Sequence, residues 1–292
     1  DFEIEKESFQ SIIDNAERIN IVSFERVMDE FQKIMMTDKP SVGLLLLEQS
    51  GLLQYILPEL IALKGIEEVE GQKHKDNFYH TLEVVDNISE NTDNVWLRWA
   101  ALLHDIGKAV TKRFDKKVGW TFHSHEFVGS KMTVKLFRRL KLPLGNQMKY
   151  VQKLVMMSSR PIAVVTDDAT DSALRRLLFD AGEDFDDLIT LCKADITTKN
   201  EKKQRRFKQN FEVVEQKIKD VEERDHLRNF QPPISGEQIM ELFDIKPGKE
   251  IGILKNAIKE AILEGEVENN YNSALEFVIN MGKELNLVPK NI

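Results

Sequence analysis

His104 and Asp105 stand side by side at the end of the most apolar stretch of the chain, which runs through Val95, Trp96, Leu97, Trp99, Ala100, Ala101, Leu102, Leu103 and Ile106. Adjacent helical residues point about 100° apart, so both side chains can reach one ion lying off a helix end. A carboxylate in such a segment is costly without a partner, and a cation removes that cost. Lys108 follows one turn later on the same face. His80, within Phe78-Tyr79-His80-Thr81-Leu82, and Asp195, closing a run of Leu188, Ile189, Leu191 and Ala194, are further candidates in amphipathic or apolar settings. The four offer two nitrogens and two carboxylates. That mixed set suits one Mn, Fe, Co, Ni or Zn ion better than Mg, which prefers all-oxygen cages. An octahedral ion would keep two positions for a water and a substrate phosphate.

Each residue alone has a plainer reading. A single histidine on an apolar helix is usually a satisfied core residue, a terminal aspartate usually caps or pairs, and any long protein contains some His-Asp pair. The combination, with the lysine and the apolar flanks, is what points to a metal.

The elements that must position these residues read as helices. Apolar residues recur at three- and four-residue spacing, and the chain is rich in Leu, Glu, Lys, Ile and Asp with only eight prolines, so the expected class is all-α. A small helical module is expected over 1–70: Ser23 caps a helix ending near Thr37, another runs from Val42 to Gln49 and stops at Gly51, and a short one spans Leu52 to Ile56. Over 71–230 the helices lengthen: Asn94 to Lys108 as the central buried one, then Phe127–Leu140 after a link from Trp120 to His125, Asp171–Phe179, Phe185–Asp195 and a charged helix from Thr198 to about Arg224. Asn229-Phe230-Gln231-Pro232-Pro233 is the expected linker. In the tail, 231–292, Ser235 caps a helix beginning at Glu237, and Ile251–Glu264 and Ser273–Glu284 follow.

With 292 residues, 41% hydrophobic and 31% charged, the chain suits a globular protein of two or three units. Its net charge of −8 argues against an all-over nucleic-acid footprint, though not against a local basic patch. Cys192 is the only cysteine and sits on an apolar helix face, so a reducing cytoplasm is expected. No apolar run approaches membrane-spanning length, and no membrane partner is expected.

In order along the chain, "HTLEVVDNI", "ALLHDIGK", "FHSHEFVGSKM" and "LCKADITT" resemble the successive motifs of HD-superfamily metal-dependent phosphohydrolases. The resemblance implies His80, His104, Asp105 and Asp195 as metal ligands, Lys108 beside the phosphate, and His125 as a second-metal or phosphate residue with Glu126 behind it. Two-metal members carry a further histidine near Met157-Ser158-Ser159-Arg160-Pro161. This chain has Ser158 and Ser159 there and no histidine between His125 and His226, so one metal is expected. The mechanism expected is phosphoester hydrolysis by an ion that activates water and polarises a phosphoryl oxygen. Asp105 would accept the water's proton, Lys108 and Arg160 would offset charge on the phosphate, and His125 would position or protonate the leaving group.

The flanks widen the likeness. "VSFERVMDEFQKIM" and "GLLLLEQSGLLQYILPEL" resemble the neck of bacterial CCA-adding tRNA nucleotidyltransferases of the poly(A) polymerase family, and "ISGEQIMELFDIKPGKEIGILKNAIKEAILEGEVEN" is similar to that family's tail. This implies tRNA as a partner and RNA-end phosphates or small nucleotides as substrates. The family's polymerase head has a glycine turn and an Asp-x-Asp strand. Here Asp184-Phe185-Asp186 has the spelling but lies in an acidic helical start. With no initiator Met, the chain is expected to be the C-terminal part of a longer enzyme, without nucleotide addition. Alternatives are a stand-alone HD nucleotidase and a non-catalytic RNA-binding module with a structural metal. Two basic stripes stand out: Lys131, Lys135, Arg138 and Arg139, and Lys202, Lys203, Arg205 and Arg206. Each usually means a solvated helix face, and the resemblance gives one of them a tRNA-facing role through phosphate contacts. Arg175 and Arg176 are expected to pair with Asp171 and Asp180.

Overall fold

Helices account for nearly all the regular structure, as the spacing of apolar residues dictates. The computed structural model describes residues 3–164, 170–198, 200–225 and 230–290. In chain order the helices are α1 (Lys6–Asp14), α2 (Phe24–Met35), α3 (Pro40–Gln49), α4 (Leu52–Ile56), α5 (Pro58–Ile61), α6 (Asn77–Ser89), α7 (Val95–Leu103), α8 (Lys108–Thr111), α9 (His125–Arg139) and α10 (Asn146–Met157). Then come α11 (Arg160–Val164), α12 (Asp171–Ala181), α13 (Phe185–Ala194), α14 (Glu201–Asp225), α15 (Gly236–Phe243), α16 (Lys249–Glu264) and α17 (Tyr271–Glu284). Two antiparallel hairpins interrupt them: β1 (Glu68–Val69) with β2 (Gln72–Lys73), and β3 (Arg113–Asp115) with β4 (Gly119–Thr121). Among the described residues no helix is long and apolar enough to cross a membrane.

The chain divides into two compact units, residues 1–161 with 186–204, and residues 162–185 with 205–292. In the first, α2, α7 and α9 meet through aromatic side chains. The rings of Phe31 and Trp99 lie 5.3 Å apart, and those of Trp99 and Phe137 6.2 Å apart, all three essentially inaccessible to solvent. Burial of each such side chain is worth about 1.5–3 kcal/mol. Polar pins add direction. Asp86 on α6 accepts from both the backbone N–H and the hydroxyl of Ser41 at the start of α3 (2.9 and 2.6 Å). Arg98, buried in the middle of apolar α7, donates to the carbonyls of Met35, Thr37, Ser89 and Thr92.

In the second unit Ser235 caps α15 as expected, and the cap is a full capping box with Gln238 as the reciprocal partner. Arg176 pairs with Glu260 and Glu264 on α16, not with Asp180; Arg175 lies 3.9 Å from Asp171 as the sequence suggested.

The main departure from expectation is the central helix. It ends at Leu103, four residues before Gly107, and α8 begins only at Lys108. Between them the chain tightens: the N–H of Ile106 donates to the carbonyl of Leu103, and that of Lys108 to Asp105. The reason is tertiary. A β-carbon on Gly107 would lie 2.1 Å from the carbonyl oxygen of His125 and 2.8 Å from the N–H nitrogen of Gly129. The start of α9 therefore lies directly on this turn.

Candidate metal centre

Three elements of the first unit deliver the four expected ligands. Helix α6 is capped by Asp76, whose carboxylate accepts from the N–H groups of Phe78 and Tyr79 and also from Gly65. Its apolar residues Phe78, Leu82, Val84, Val85 and Ile88 face the core, and the same burial carries His80 inward. The turn after α7 supplies His104 and Asp105, each 2% exposed. Asp195 follows α13, whose buried Leu188, Leu191 and Cys192 fix its roll. The Cys192 thiol donates to the Ser158 carbonyl, and Asn87 on α6 donates to the carbonyl of Ala194, so Asp195 is anchored from the side of His80. The thiol is held well above the usual range by burial, an inert structural group.

His80, His104 and Asp105 form a buried trio whose ligand atoms all lie within 4.8 Å of one another. His104 Nε2 is 3.4 Å from Asp105 Oδ2, and His80 Nε2 is 3.7 Å from the same oxygen. Asp195 Oδ1 touches both imidazoles, at 2.8 Å from His80 Nε2 and 3.4 Å from His104 Nε2. The tautomer of His104 follows from its neighbour: Nδ1 donates to the Ala101 carbonyl at 2.7 Å, which leaves Nε2 as the ligating nitrogen. That Nε2 is fully buried and makes no directed hydrogen bond. A buried, aimed, unsatisfied imidazole nitrogen between two carboxylates is the donor set a divalent cation requires. The residues therefore fit a metal.

Electrostatics agree. Burial opposes charge on His104, yet Asp105 and Asp195 together push its pKa up to about 10. Burial likewise opposes ionised Asp105 and Asp195, but His104 beside them holds both well below the usual carboxylate range. In the metal-free chain a proton on His104 thus does part of what a cation would do. Its folded pKa lies above the unfolded value of about 6.5. The stability it contributes is therefore complete below about pH 6.5 and is lost as pH rises toward 10. A metal must displace that proton. Calorimetry in buffers of different ionisation enthalpy should show about one proton released per ion at pH 7.5, with affinity rising close to tenfold per pH unit up to about pH 10. No proton release would contradict this.

Around the trio stand the remaining expected residues. Lys108 Nζ binds Asp105 Oδ2 at 2.6 Å. His125 Nε2 lies 3.5 Å from Asp105 Oδ1, its ring set by Nδ1, which faces the carbonyl of Phe122 at 2.9 Å and Glu126 at 3.3 Å. Ser159, where a two-metal member would place its histidine nearby, donates to Glu126. Arg160 is exposed at the start of α11. Two residues went unnoticed in the sequence. Lys75 Nζ lies 2.9 Å from His80 Nδ1 and donates to the hydroxyl of Thr197, which is itself 3.1 Å from that nitrogen. Burial lowers the Lys75 pKa. An ammonium only donates, so Nδ1 of His80 accepts and Nε2 presents its proton to Asp195; ligation requires the opposite tautomer, with Nδ1 donating to Thr197.

Gly107 gives a direct test of this packing. Gly107→Ala should cost about 1–3 kcal/mol by overpacking, and it should displace His125 from Asp105. A thermal midpoint equal to wild type would show that the turn tolerates a side chain.

Of the basic stripes, Lys131, Lys135 and Arg138 are exposed on α9. Arg139 is not: it donates to Glu59 and to the Ile56 carbonyl, tying α9 to the first helices. Lys202, Arg205 and Arg206 are exposed on α14; the side chain of Lys203 lies outside the described residues. Asp184-Phe185-Asp186 lies in helical turns, not on a strand.

Residues 1–64 match the family described as "Probable RNA and SrmB- binding site of polymerase A", and residues 77–181 match the HD domain family. The chain is 32% identical over 258 residues to the A-adding tRNA nucleotidyltransferase of Deinococcus radiodurans, covering 86% of this chain and 57% of that protein. It is 30% identical over 256 residues to the CC-adding tRNA nucleotidyltransferase of Thermus thermophilus, covering 83% and 54%. The multifunctional CCA protein of Vibrio parahaemolyticus is 30% identical over 202 residues, covering 66% and 48%. The chain thus spans about half the length of the curated relatives it matches.

Proposed function

We propose, for a chain that belongs to the tRNA nucleotidyltransferase family and carries an RNA-binding region ahead of an HD domain, the role of a metal-dependent phosphohydrolase acting on RNA-end or nucleotide phosphates. One observation carries the reading: the orphaned Nε2 of His104, buried between Asp105 and Asp195 with His80 alongside.

His80, His104, Asp105 and Asp195 would hold one divalent ion. Bound there, such an ion supplies Lewis acidity toward a phosphoryl oxygen and makes water nucleophilic near neutral pH. The chain's own residues do the rest. Asp105, fixed by Lys108, is assigned the attacking water's proton. Lys108 offsets charge that develops on the phosphate. His125, with Nε2 toward Asp105 and Nδ1 held by the Phe122 carbonyl, is placed to protonate the leaving oxygen. Arg160 is assigned the outer phosphate charge. The division into a 1–70 neck, a 71–230 HD body and a 231–292 tail is part of the same proposal. Hydrolysis of a nucleoside 2′,3′-cyclic phosphate by the purified chain should vanish on chelation and return with Mn²⁺. Chelator-resistant turnover would refute it.

The RNA engaged is proposed to be tRNA, the substrate named for the relatives. The exposed α9 lysines are proposed to take its phosphates. Affinity for tRNA should fall steeply between 50 and 200 mM salt, by about tenfold or more for two or three phosphate contacts. A flat salt dependence would remove these residues from the interface.

A further inference from the structure

Beside the metal centre the two hairpins and α8 build a feature of which the hydrolytic reading uses only Lys108. Lys108 opens the short helix α8 and Lys112 follows its last residue, its N–H donating to the Lys108 carbonyl at 3.0 Å, so the two lie one turn apart, at about 6 Å. Each lies over an aromatic ring from the end of the β3–β4 hairpin: Lys108 Nζ is 5.6 Å from the centre of Phe122, and Lys112 Nζ is 5.7 Å from the centre of Trp120. Phe122 and Trp120 are two residues apart on an extended strand end and so share a side. His74 presses edge-on against both, at 6.2 and 5.0 Å. The Trp120 indole N–H is fixed by the carbonyl of Gln72, and Phe114 meets the indole edge-on at 5.3 Å. The result is two neighbouring rungs, each a lysine with an aromatic ring. The inner rung touches the centre directly, since Lys108 also binds Asp105 and the Phe122 carbonyl faces His125. The outer rung is one step further from it. All four side chains are partly accessible.

Two such rungs in series match the repeating unit of a single nucleic-acid strand, one phosphate and one base per step. Stacking on an aromatic ring is tolerant of sequence and worth about 1–3 kcal/mol per base. A free phosphate or a sugar phosphate would use only the cation of the inner rung, and a mononucleotide only the inner rung as a whole. We propose that Lys108–Phe122 and Lys112–Trp120 form a two-nucleotide track, which selects the end of a single-stranded RNA over mononucleotides for the HD centre. Trp120 and Lys112 are then specificity-determining residues, and Glu67, paired with Lys112 at 2.5 Å, is the group the incoming phosphate displaces.

The inference rests on the phosphohydrolase reading for the purpose of the track, but not for its existence, so the test separates them. In the metal-stripped full chain, a dinucleotide with a 3′-phosphate and the corresponding mononucleotide are titrated by tryptophan fluorescence and by calorimetry. The wild type should bind the dinucleotide about tenfold more tightly, with quenching that Trp120→Phe alters. Trp120→Ala and, independently, Lys112→Gln should remove that tenfold preference while leaving mononucleotide affinity within twofold. Equal wild-type affinity for the two ligands, no binding of either, or unchanged preference in both variants would overturn the track. Binding as predicted, in a chain that hydrolyses nothing when reloaded with Mn²⁺, would sink the hydrolytic reading and keep the track as an RNA-binding element.

Discussion

Asp105→Ala is expected to lower hydrolysis of RNA-end phosphates by at least about 10²–10³-fold, the scale on which loss of one preorganised electrostatic group acts. The effect should exceed that of any other single substitution in the centre, because Asp105 is the common partner. One of its oxygens faces His80, His104 and Lys108, and the other faces His125. Asp105→Asn separates charge from shape. The amide fills the same space, so a chain that folds like wild type but neither binds metal nor turns over would assign the effect to the carboxylate charge. The metal-free protein should respond as well. Without Asp105, His104 keeps only Asp195 as its counter-charge, so its pKa should fall from about 10 toward the ordinary range. NMR titration of the imidazole reads this without any activity measurement. Turnover by Asp105→Ala within a few-fold of wild type would exclude Asp105 from the chemistry.

Arg98→Met should be strongly destabilising although it lies outside the centre. The guanidinium is 3% exposed and donates to four carbonyls: Met35 at the end of α2, Thr37 just past it, Ser89 at the end of α6, and Thr92. The Met35 carbonyl is buried at this contact, while Thr37, Ser89 and Thr92 keep some access to water. Leaving the buried acceptor unsatisfied costs about 1–3 kcal/mol and each part-exposed one less, partly offset because a buried charge is also removed. A net loss of roughly 2–4 kcal/mol is expected, read as a drop in denaturation midpoint. Hydrogen exchange should rise first at α2 and at the α6–α7 turn, since Arg98 joins them. Protection lost evenly over the unit, or a loss under about 1 kcal/mol, would mean that the aromatic contact of Phe31 with Trp99 holds these helices without it.

These two residues also mark what could be read from the sequence. His80, His104, Asp105 and Asp195 were legible because each is a costly residue in an apolar setting, and cost of that kind demands a compensating partner. Arg98 carried the same signal, a lone charge inside Val95–Leu103, but its partners are main-chain oxygens that no sequence pattern displays. Lys75 and Thr197 lie in connecting segments, where polar side chains are unremarkable, so their approach to His80 was invisible. The all-α class and most helix positions followed from periodicity. The overextended helix through Lys108 did too, since Ile106 continues the apolar spacing and only the approach of α9 to Gly107 stops it. The β1–β2 and β3–β4 hairpins have strands of two and three residues, too short for alternation to register. Arg139 looked like its neighbours on the stripe and differs only because Glu59 happens to face it.

The central claim is that His80, His104, Asp105 and Asp195 hold one divalent ion. Calorimetric titration of the metal-stripped full chain with Mn²⁺ tests it most directly. About one ion per chain should bind, and His104→Ala should abolish binding while the variant keeps its helical circular dichroism. No binding by the wild type, or wild-type binding by His104→Ala, would contradict it.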